Sequence, residues 1–158
     1  MTAAVDTNIL LDVLLSDPEF YEQSKTLLNT YGKGALIISP VVYAELFTQF
    51  LKVFGSGASK KITQFLTDLG IRLVDLSKKD LERAAQAWLE FSTAKREAAC
   101  PACGSITNYA CAECKKPVLW RNHLITDFLI GAHAENNADT LITRDRGYYK
   151  RYFKVSIA

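Results

Sequence analysis

Short apolar runs alternate along the chain with longer segments in which apolar residues recur at helical spacing. The runs at 3–5, 35–38, 71–74 and 140–143 predict buried β-strands, and the segment 153–157 predicts another. Continuous apolar runs of this length are typical of parallel strands covered on both faces. The pattern therefore predicts an α/β domain with a mostly parallel central sheet.

Capping signals bound the helices predicted between these strands. Asp17-Pro18 and Ser39-Pro40 each place an N-cap residue before a proline, which favours a helix start. We expect these two helices to end before Gly32 and near Phe54, with a third helix ending at Gly70.

The longest predicted helix starts at Ser77-Lys78-Lys79-Asp80, which fits a capping box, and extends to Ala98. A further helix is expected over 122–136. The long helix is predicted to bury one face that leans apolar, formed by Leu81, Ala84, Ala85, Trp88, Leu89 and Ser92.

Acidic residues stand in stretches that otherwise look buried: Asp6, Glu45, Asp127 and Asp145. Asp6 and Asp145 follow predicted strands, and ligands bind where the carboxyl ends of parallel strands meet. Glu45 and Asp127 lie near the starts of their helices, close to that edge. Gathered carboxylates repel one another, and a hard cation such as Mg²⁺ or Mn²⁺ would stabilise them. The pattern indicates a metal-dependent enzyme that acts on phosphate esters.

Each acid taken alone also fits an ordinary structural role. An aspartate at a strand end often caps a helix or forms a turn, and a glutamate on an amphipathic helix often faces solvent. Other acids are assigned to such roles: Asp12, Asp68, Asp75 and Asp139. His123 and His133 are interpreted as surface or core residues, and the aromatic run Tyr148, Tyr149, Tyr152 and Phe153 as core or partner interface.

Taken together, the acidic segments resemble the PIN-domain family. The resemblance rests on VDTNILLD with Asp6, SPVVYAEL with Glu45, ITDFLIGAHA with Asp127 and LITRDRGYY with Asp145. It implies a three-layer α/β/α fold, a single PIN domain over 1–158, and a Mg²⁺- or Mn²⁺-dependent endoribonuclease. Small members of this kind resemble VapC-type toxins, which implies a neutralising antitoxin and a homodimer.

The same resemblance implies roles for individual residues. The four acids would be catalytic and would hold one or two metal ions. Thr7 or Asn8 would support the metal site through a hydroxyl or an amide. Arg144 and Arg146 flank Asp145 and would contact RNA phosphates, although surface solubility explains Arg146 equally well.

Two CxxC pairs lie between the long helix and the helix of Asp127: Cys100 with Cys103, and Cys111 with Cys114. Their spacing is typical of a tetrahedral Zn²⁺ site, with a redox pair or unliganded core cysteines as alternatives. Four thiolates would close the site, so a zinc knuckle inserted at 100–114 is expected to be structural. It would staple a loop, and its basic and aromatic flanks could also grip RNA.

Composition adds little to this picture. A chain of 158 residues with 49 % hydrophobic residues suits one domain with a sizeable core. The net charge of +2 does not by itself indicate nucleic-acid binding, although 144–154 holds a basic cluster. No secretory signal or membrane span is visible, so a cytoplasmic protein with zinc-binding rather than disulfide-bonded cysteines is expected.

Three rival functions remain open on the sequence. A ribosomal-RNA processing nuclease would use the same chemistry, with the zinc element docked on RNA. A non-catalytic RNA- or protein-binding PIN module would bind RNA without needing the carboxylates. A phosphatase with the same metals would cleave small phosphomonoesters and leave RNA intact.

Overall fold

The protein is described by a computed structural model over residues 1–32, 34–94, 98–99, 106–107, 113–115 and 126–158. Its strands are β1 (Ala3–Val5), β2 (Leu36–Ile38), β3 (Ile71–Leu73), β4 (Ala98–Ala99), β5 (Ile106–Thr107), β6 (Thr140–Ile142) and β7 (Ser156–Ile157). Its helices are α1 (Thr7–Leu14), α2 (Tyr21–Asn29), α3 (Pro40–Phe54), α4 (Ala58–Asp68), α5 (Lys78–Ala94), α6 (Thr126–Asn137) and α7 (Arg146–Tyr152), with a 3₁₀ turn over Gly55–Gly57.

The predicted α/β fold with a parallel central sheet is confirmed. Five strands form the sheet in the order β3-β2-β1-β6-β7, and every neighbouring pair is parallel. The chain first adds strands on one side of β1 and then returns to add β6 and β7 on the other. The direction therefore reverses between β1 and β6, and ligands bind at such a switch point, beyond the carboxyl ends of the strands.

The core explains why the central strands read as unbroken apolar runs. All three residues of β1, β2 and β6 are buried. Successive side chains of a strand point to opposite faces, so both faces of the sheet centre are covered. The strand predictions hold at the first four runs, whereas the predicted strand at 153–157 is reduced to Ser156–Ile157.

Helix α3 forms as the capping signals predict. The Ser39 hydroxyl accepts a hydrogen bond from the Val42 N–H at 3.3 Å, and Pro40 occupies the first turn. The helix ends at Gly55, whose φ of 52° is a conformation that glycine adopts without strain.

Helix α2 starts later than its signal predicts. The Asp17 carboxylate accepts hydrogen bonds from the backbone N–H groups of Glu19 (2.9 Å) and Phe20 (3.0 Å), and so it stabilises a turn ahead of Tyr21. Helices α1 and α7, both short and attached directly to strand ends, were not predicted. Of the helix predicted over 122–136, residues 122–125 lie outside the described ones.

The capping box of α5 is confirmed, but its predicted end and its predicted buried face are partly wrong. The helix ends at Ala94, and Ala98 belongs to β4, which pairs antiparallel with β5.

The buried face of α5 differs from the predicted one. Leu81 and Leu89 are 47 % and 62 % exposed, and Ala85 is exposed as well. The buried face instead runs through Asp80, Ala84 and Ala87, with Trp88 and Phe91 packed partly against the core.

Helix α6 passes through the core and carries a glycine where the packing is closest. A Cβ at Gly131 would overlap the ring of Phe153. The usual helix-propensity cost of glycine is therefore accepted here because no side chain fits. In the described part of the chain, no helix is both long and apolar enough to cross a membrane.

Candidate active site

The predicted acids come from four elements that meet at the switch point. Asp6 directly follows β1 and caps α1, and Asp145 stands at the N-cap of α7, just beyond β6. Glu45 lies on the second turn of α3, and Asp127 on the first turn of α6. Because the elements converge on one sheet edge, residues scattered over most of the sequence face one another.

Asp6 lies at the centre of a hydrogen-bond network. It is only 6 % exposed, and its Oδ1 accepts the N–H of Thr7 at 2.7 Å. Its Oδ2 accepts the hydroxyl of Thr143 at 2.7 Å and the amide of Asn8 at 3.0 Å. Asp6 thus caps α1 through one carboxylate oxygen and contacts Thr143 and Asn8 through the other.

The predicted supporting residues, Thr7 and Asn8, both contact the acids. The Thr7 hydroxyl donates to Glu45 Oε2 at 2.5 Å, which ties α1 to α3. Asn8 contacts Asp6, and its side-chain oxygen accepts the backbone N–H of Arg144 at 3.4 Å. Together these contacts hold the strand ends of β1 and β6 in register around the acids.

Burial and the repulsion between the acids raise the pKa of two of them, Asp6 and Asp127. Burial raises the pKa of Asp6 above its usual value, and the charges of Glu45 and Asp145 raise it further, against the hydrogen bonds from Thr143 and Thr7. Burial, followed by the charges of Asp6, Glu45 and Asp145, raises the pKa of Asp127 to about 6. The cluster therefore has excess negative charge that folding alone does not neutralise.

A counter-charge for these acids is not found among the described side chains. The ion pairs there join Lys78 to Glu82, Arg83 to Glu135 and Arg144 to Asp12, and none reaches the four acids. Nor, among the described residues, do three acidic, histidine or cysteine side chains stand close enough to form a ready coordination shell. The all-oxygen donor set still fits Mg²⁺, which commonly keeps several waters and binds through one or two carboxylates.

Two residues of the network were missed by the sequence reasoning. The Thr143 hydroxyl bridges Asp6 and the backbone N–H of Asp145, which it accepts at 3.1 Å. The Tyr149 hydroxyl lies 3.5 Å from Asp6 Oδ2, and burial together with the surrounding carboxylates raises the pKa of Tyr149. A hydroxyl at the end of β6 and a tyrosine one helical turn after Asp145 were the available signals.

Asp12, which was assigned an ordinary role as a cap, a turn residue or a solvent-facing acid, instead forms a buried ion pair. Asp12 is 2 % exposed, and its carboxylate binds the Arg144 guanidinium at 2.9 Å and the Ser24 hydroxyl at 2.6 Å. Arg144 is therefore already paired within the protein. The side chain of Arg146 lies outside the described ones, so its predicted RNA contact stays a prediction.

The structural readings of His133 and of the aromatic run are confirmed where they are described. His133 is 1 % exposed and its Nε2 lies 3.0 Å from the Val74 carbonyl. Tyr149, Tyr152 and Phe153 are buried in the core. The readings of His123 and of the Tyr148 side chain lie outside the described residues.

The predicted zinc site falls mostly outside the described residues, which exclude Cys100, Cys103 and Cys111. Cys114 is exposed and forms no disulfide bond. The hairpin β4–β5 brackets the first CxxC pair in the sequence, with Ala98 opposite Thr107 and Ala99 opposite Ile106. The zinc knuckle therefore stays a prediction.

Comparison with known proteins gives a family match over nearly the whole chain. The PIN domain family matches residues 3–154. A comparison with curated protein sequences gives no match.

Similar solved structures share the fold at low sequence identity. A structure of VapBC2 from Rickettsia felis bound to a DNA fragment from their promoter matches at 22 % identity and a TM-score of 0.63, covering 100 % of this chain and 98 % of that chain. FitAcB from Neisseria gonorrhoeae matches at 18 % identity and a TM-score of 0.64, covering 99 % of this chain and 96 % of that chain. VapC20 of Mycobacterium tuberculosis is described as a Sarcin-Ricin loop cleaving toxin. It matches at 13 % identity and a TM-score of 0.58, covering 96 % of each chain.

Proposed function

This chain belongs to the PIN-domain family, and from that premise we propose that it is a metal-dependent endoribonuclease, the toxin of a toxin–antitoxin pair. The single observation that carries the proposal is the convergence of Asp6, Glu45, Asp127 and Asp145 on one sheet edge. The negative charges of the cluster raise the pKa of Asp6 and of Asp127, and the described side chains offer no cationic partner. Such a cluster is stable in its ionised form only with a cation beside it.

Each residue has a separate task in the proposed reaction. The four carboxylates would hold Mg²⁺ or Mn²⁺ beside the scissile phosphate, with Thr7 fixing Glu45 and Asn8 fixing Asp6. When bound, the ion supplies positive charge that polarises the phosphate and lowers the pKa of a water. Asp145 is exposed, so the substrate would approach from its side of the site.

The toxin assignment is supported by the solved structures of similar fold. One of them is a toxin–antitoxin complex from Klebsiella pneumoniae, and VapC20 is described as a toxin. By analogy we propose that a small antitoxin covers the acidic site of this chain and that the chain forms a homodimer. The likeness is one of fold, so both partners belong to the proposal.

A structural Zn²⁺ on the four cysteines belongs to the same proposal. It is supported by the two CxxC pairs and by the β4–β5 hairpin that brackets the first of them. Elemental analysis of the purified protein should find about one zinc per chain, and a Cys103→Ser variant should lose it. A wild-type protein free of zinc would contradict this part alone.

The nuclease is tested by incubating total cellular RNA with purified protein and Mg²⁺ or Mn²⁺, beside an Asp6→Asn variant. This variant keeps the shape of the side chain and leaves the cysteines untouched, whereas a chelator could also remove zinc. Discrete fragments made by the wild type alone would support the proposal. Their ends would point to a tRNA or to a ribosomal-RNA target.

Other outcomes point to the rival functions. RNA left intact by a folded, metal-loaded wild type would contradict the proposal. Equal RNA binding by both proteins would then favour a non-catalytic module. Metal-dependent hydrolysis of a small phosphomonoester such as p-nitrophenyl phosphate, without RNA cleavage, would favour a phosphatase.

A further inference from the structure

A cleft of about 520 Å³ adjoins the acidic site on the side of α2. Ile9 and Leu27 give it an apolar wall, and Gln23 is exposed at its rim. Its remaining lining consists of Phe20, Ser24, Thr143 and Arg144. Apolar walls with a few fixed polar groups are the usual composition of a small-ligand site.

Arg144 forms a flat platform in this cleft. Its guanidinium carbon lies 4.2 Å from the centroid of the Phe20 ring, so the cation covers one face of the aromatic ring. Its Nη2 is held by Asp12 at 2.9 Å, and Asp12 is itself fixed by the buried hydroxyl of Ser24. The side chain of Arg144 is 39 % exposed, so part of the guanidinium remains accessible.

The Asp12 pairing changes what Arg144 can recognise. The buried carboxylate offsets the guanidinium charge, which weakens its attraction for a phosphate. The planar shape is unaffected, and guanidinium planes and aromatic rings are surfaces on which unpaired nucleobases stack. Arg144 is therefore better suited to a base than to the phosphate contact expected from the sequence.

The cleft and the acids share a wall. Thr143 lines the cleft, while its hydroxyl donates to Asp6 and accepts from the backbone of Asp145. A nucleotide whose phosphate lies at the acids would thus have an adjacent base within reach of the platform.

We propose that this cleft binds one nucleobase of single-stranded RNA, stacked on the Arg144–Phe20 pair beside the phosphate to be cut. Gln23, exposed at the rim, is placed to hydrogen-bond the edge of that base. The inference rests on the proposed nuclease function and deepens it, because it makes the cleft a determinant of which base stands next to the cleaved bond.

Photo-cross-linking tests the binding step without cleavage. Short single-stranded RNAs carrying 5-iodouridine at one position are irradiated with the full-length Asp6→Asn protein, and the cross-linked residue is identified by mass spectrometry. We expect a cross-link at Phe20 that is lost in an added Phe20→Leu substitution. Cross-links found only elsewhere would leave the cleft to some other partner, such as a protein side chain, and would overturn the proposal.

Cleavage kinetics test the same site in the active protein. Phe20→Leu keeps the apolar packing but removes the aromatic face, and base stacking on an aromatic residue is worth roughly tenfold in affinity. We expect KM for the cleaved RNA to rise about tenfold with kcat nearly unchanged. The base preference next to the cut should also weaken, and Phe20→Tyr should restore both. Phe54→Leu, at the far end of α3, is the matched control and should leave KM unchanged.

The two measurements separate this inference from the function beneath it. RNA cleavage with unchanged KM and unchanged base preference in Phe20→Leu would overturn the cleft alone. A Phe20 cross-link in a protein that cuts no RNA would support the cleft and overturn the nuclease. Absence of both cross-link and cleavage would overturn both.

Discussion

The two ends of helix α6 differ in the surroundings of their polar side chains: those near the start repel one another, and those near the end have hydrogen-bond or ion-pair partners. At its start, Asp127 faces three other acids, and its pKa is raised to about 6 by burial and by their charges. Near its end, polar side chains have partners: Asn136 and Asn137 donate to Asp80, His133 contacts the Val74 carbonyl, and Glu135 pairs with Arg83. One helix thus carries an acidic cluster at its N-terminal end and a hydrogen-bonded or ion-paired group of side chains at its C-terminal end.

Asp80, which accepts hydrogen bonds from the C-terminal end of α6, shows how such partners change the pKa of a buried acid. Its burial by itself would raise its pKa, but hydrogen bonds from Ser77, Asn136 and Asn137 lower it below the usual value. Asp80 is fully buried and still holds its charge favourably. A buried carboxylate with donors around it therefore stabilises the fold, whereas carboxylates that repel one another cost stability that a ligand can recover.

The largest expected effect is on activity, at the first end of α6. Asp127→Asn should abolish metal-dependent RNA cleavage, because it removes one of the four charges proposed to hold the ion. It should also raise the melting temperature of the metal-free protein at neutral pH, since it relieves repulsion. Cleavage assays and thermal unfolding of the same preparations check both parts. A variant that is inactive because it melts earlier would contradict the prediction.

The largest expected loss of stability is at the other end. Asp80→Ala removes the acceptor of the Asn136 amide and one of the two acceptors of the Asn137 amide, whose other partner is the His133 carbonyl. It also removes the acceptor of the Ser77 N–H at the start of α5, and together these losses cost about 2–3 kcal/mol. The melting temperature should fall by roughly 5–10 °C, as measured by circular dichroism. RNA cleavage per folded molecule should persist. Asp80→Asn, which keeps one acceptor oxygen, should lose less stability, and an equal loss would argue against the hydrogen bonds as the cause.

A smaller effect concerns the pH dependence of stability in metal-free buffer. The pKa of Asp127 is about 6 in the folded protein, against 3.8 for an unperturbed aspartate. The folded state therefore binds this proton more tightly, and the stabilisation is complete below the lower value and is lost as pH rises through about 6.

The measurement is thermal unfolding between pH 4 and 8 of the wild type and of Asp127→Asn. Only the difference between them is informative, because burial lowers the pKa of His133 and makes its contribution change in the opposite sense. The wild type should lose stability relative to the variant as pH rises, and Mg²⁺ should restore more of it at pH 7.5 than at pH 5. If the melting temperatures of the two proteins changed in parallel with pH, the pKa of Asp127 would not be raised in the folded protein.

The smallest expected effect is at Leu81, which lies beside the face of α5 that packs against α6. Leu81 is exposed, so Leu81→Gln should change the free energy of unfolding by less than about 0.5 kcal/mol. Ala84 is fully buried on the neighbouring face, so Ala84→Leu should overpack the seam and cost about 1–3 kcal/mol. Denaturant unfolding distinguishes them. A larger loss at Leu81 than at Ala84 would contradict the exposure of Leu81 and the burial of Ala84.

The sequence by itself determined the fold class, the central strands and the identity of the acids. Strands β1, β2 and β6 are covered on both faces, so their apolar runs are unbroken and could be predicted from the sequence. Ser39-Pro40 and the capping box at Ser77 were legible too, because their partners lie within three residues. The order and setting of the four acids resembled a family that the chain indeed matches.

Only the tertiary structure decided which polar residues are partners. The sequence could not show the buried ion pair of Asp12, because its cation, Arg144, lies 132 residues away. Thr143 looked like the end of a strand until the parallel pairing of β1 with β6 brought its hydroxyl to Asp6. The buried face of α5 was misplaced because periodicity gives the width of an apolar stripe, while packing against α6 decides its direction. Local patterns record local bonds, whereas pairings over long separations exist only once the sheet has formed.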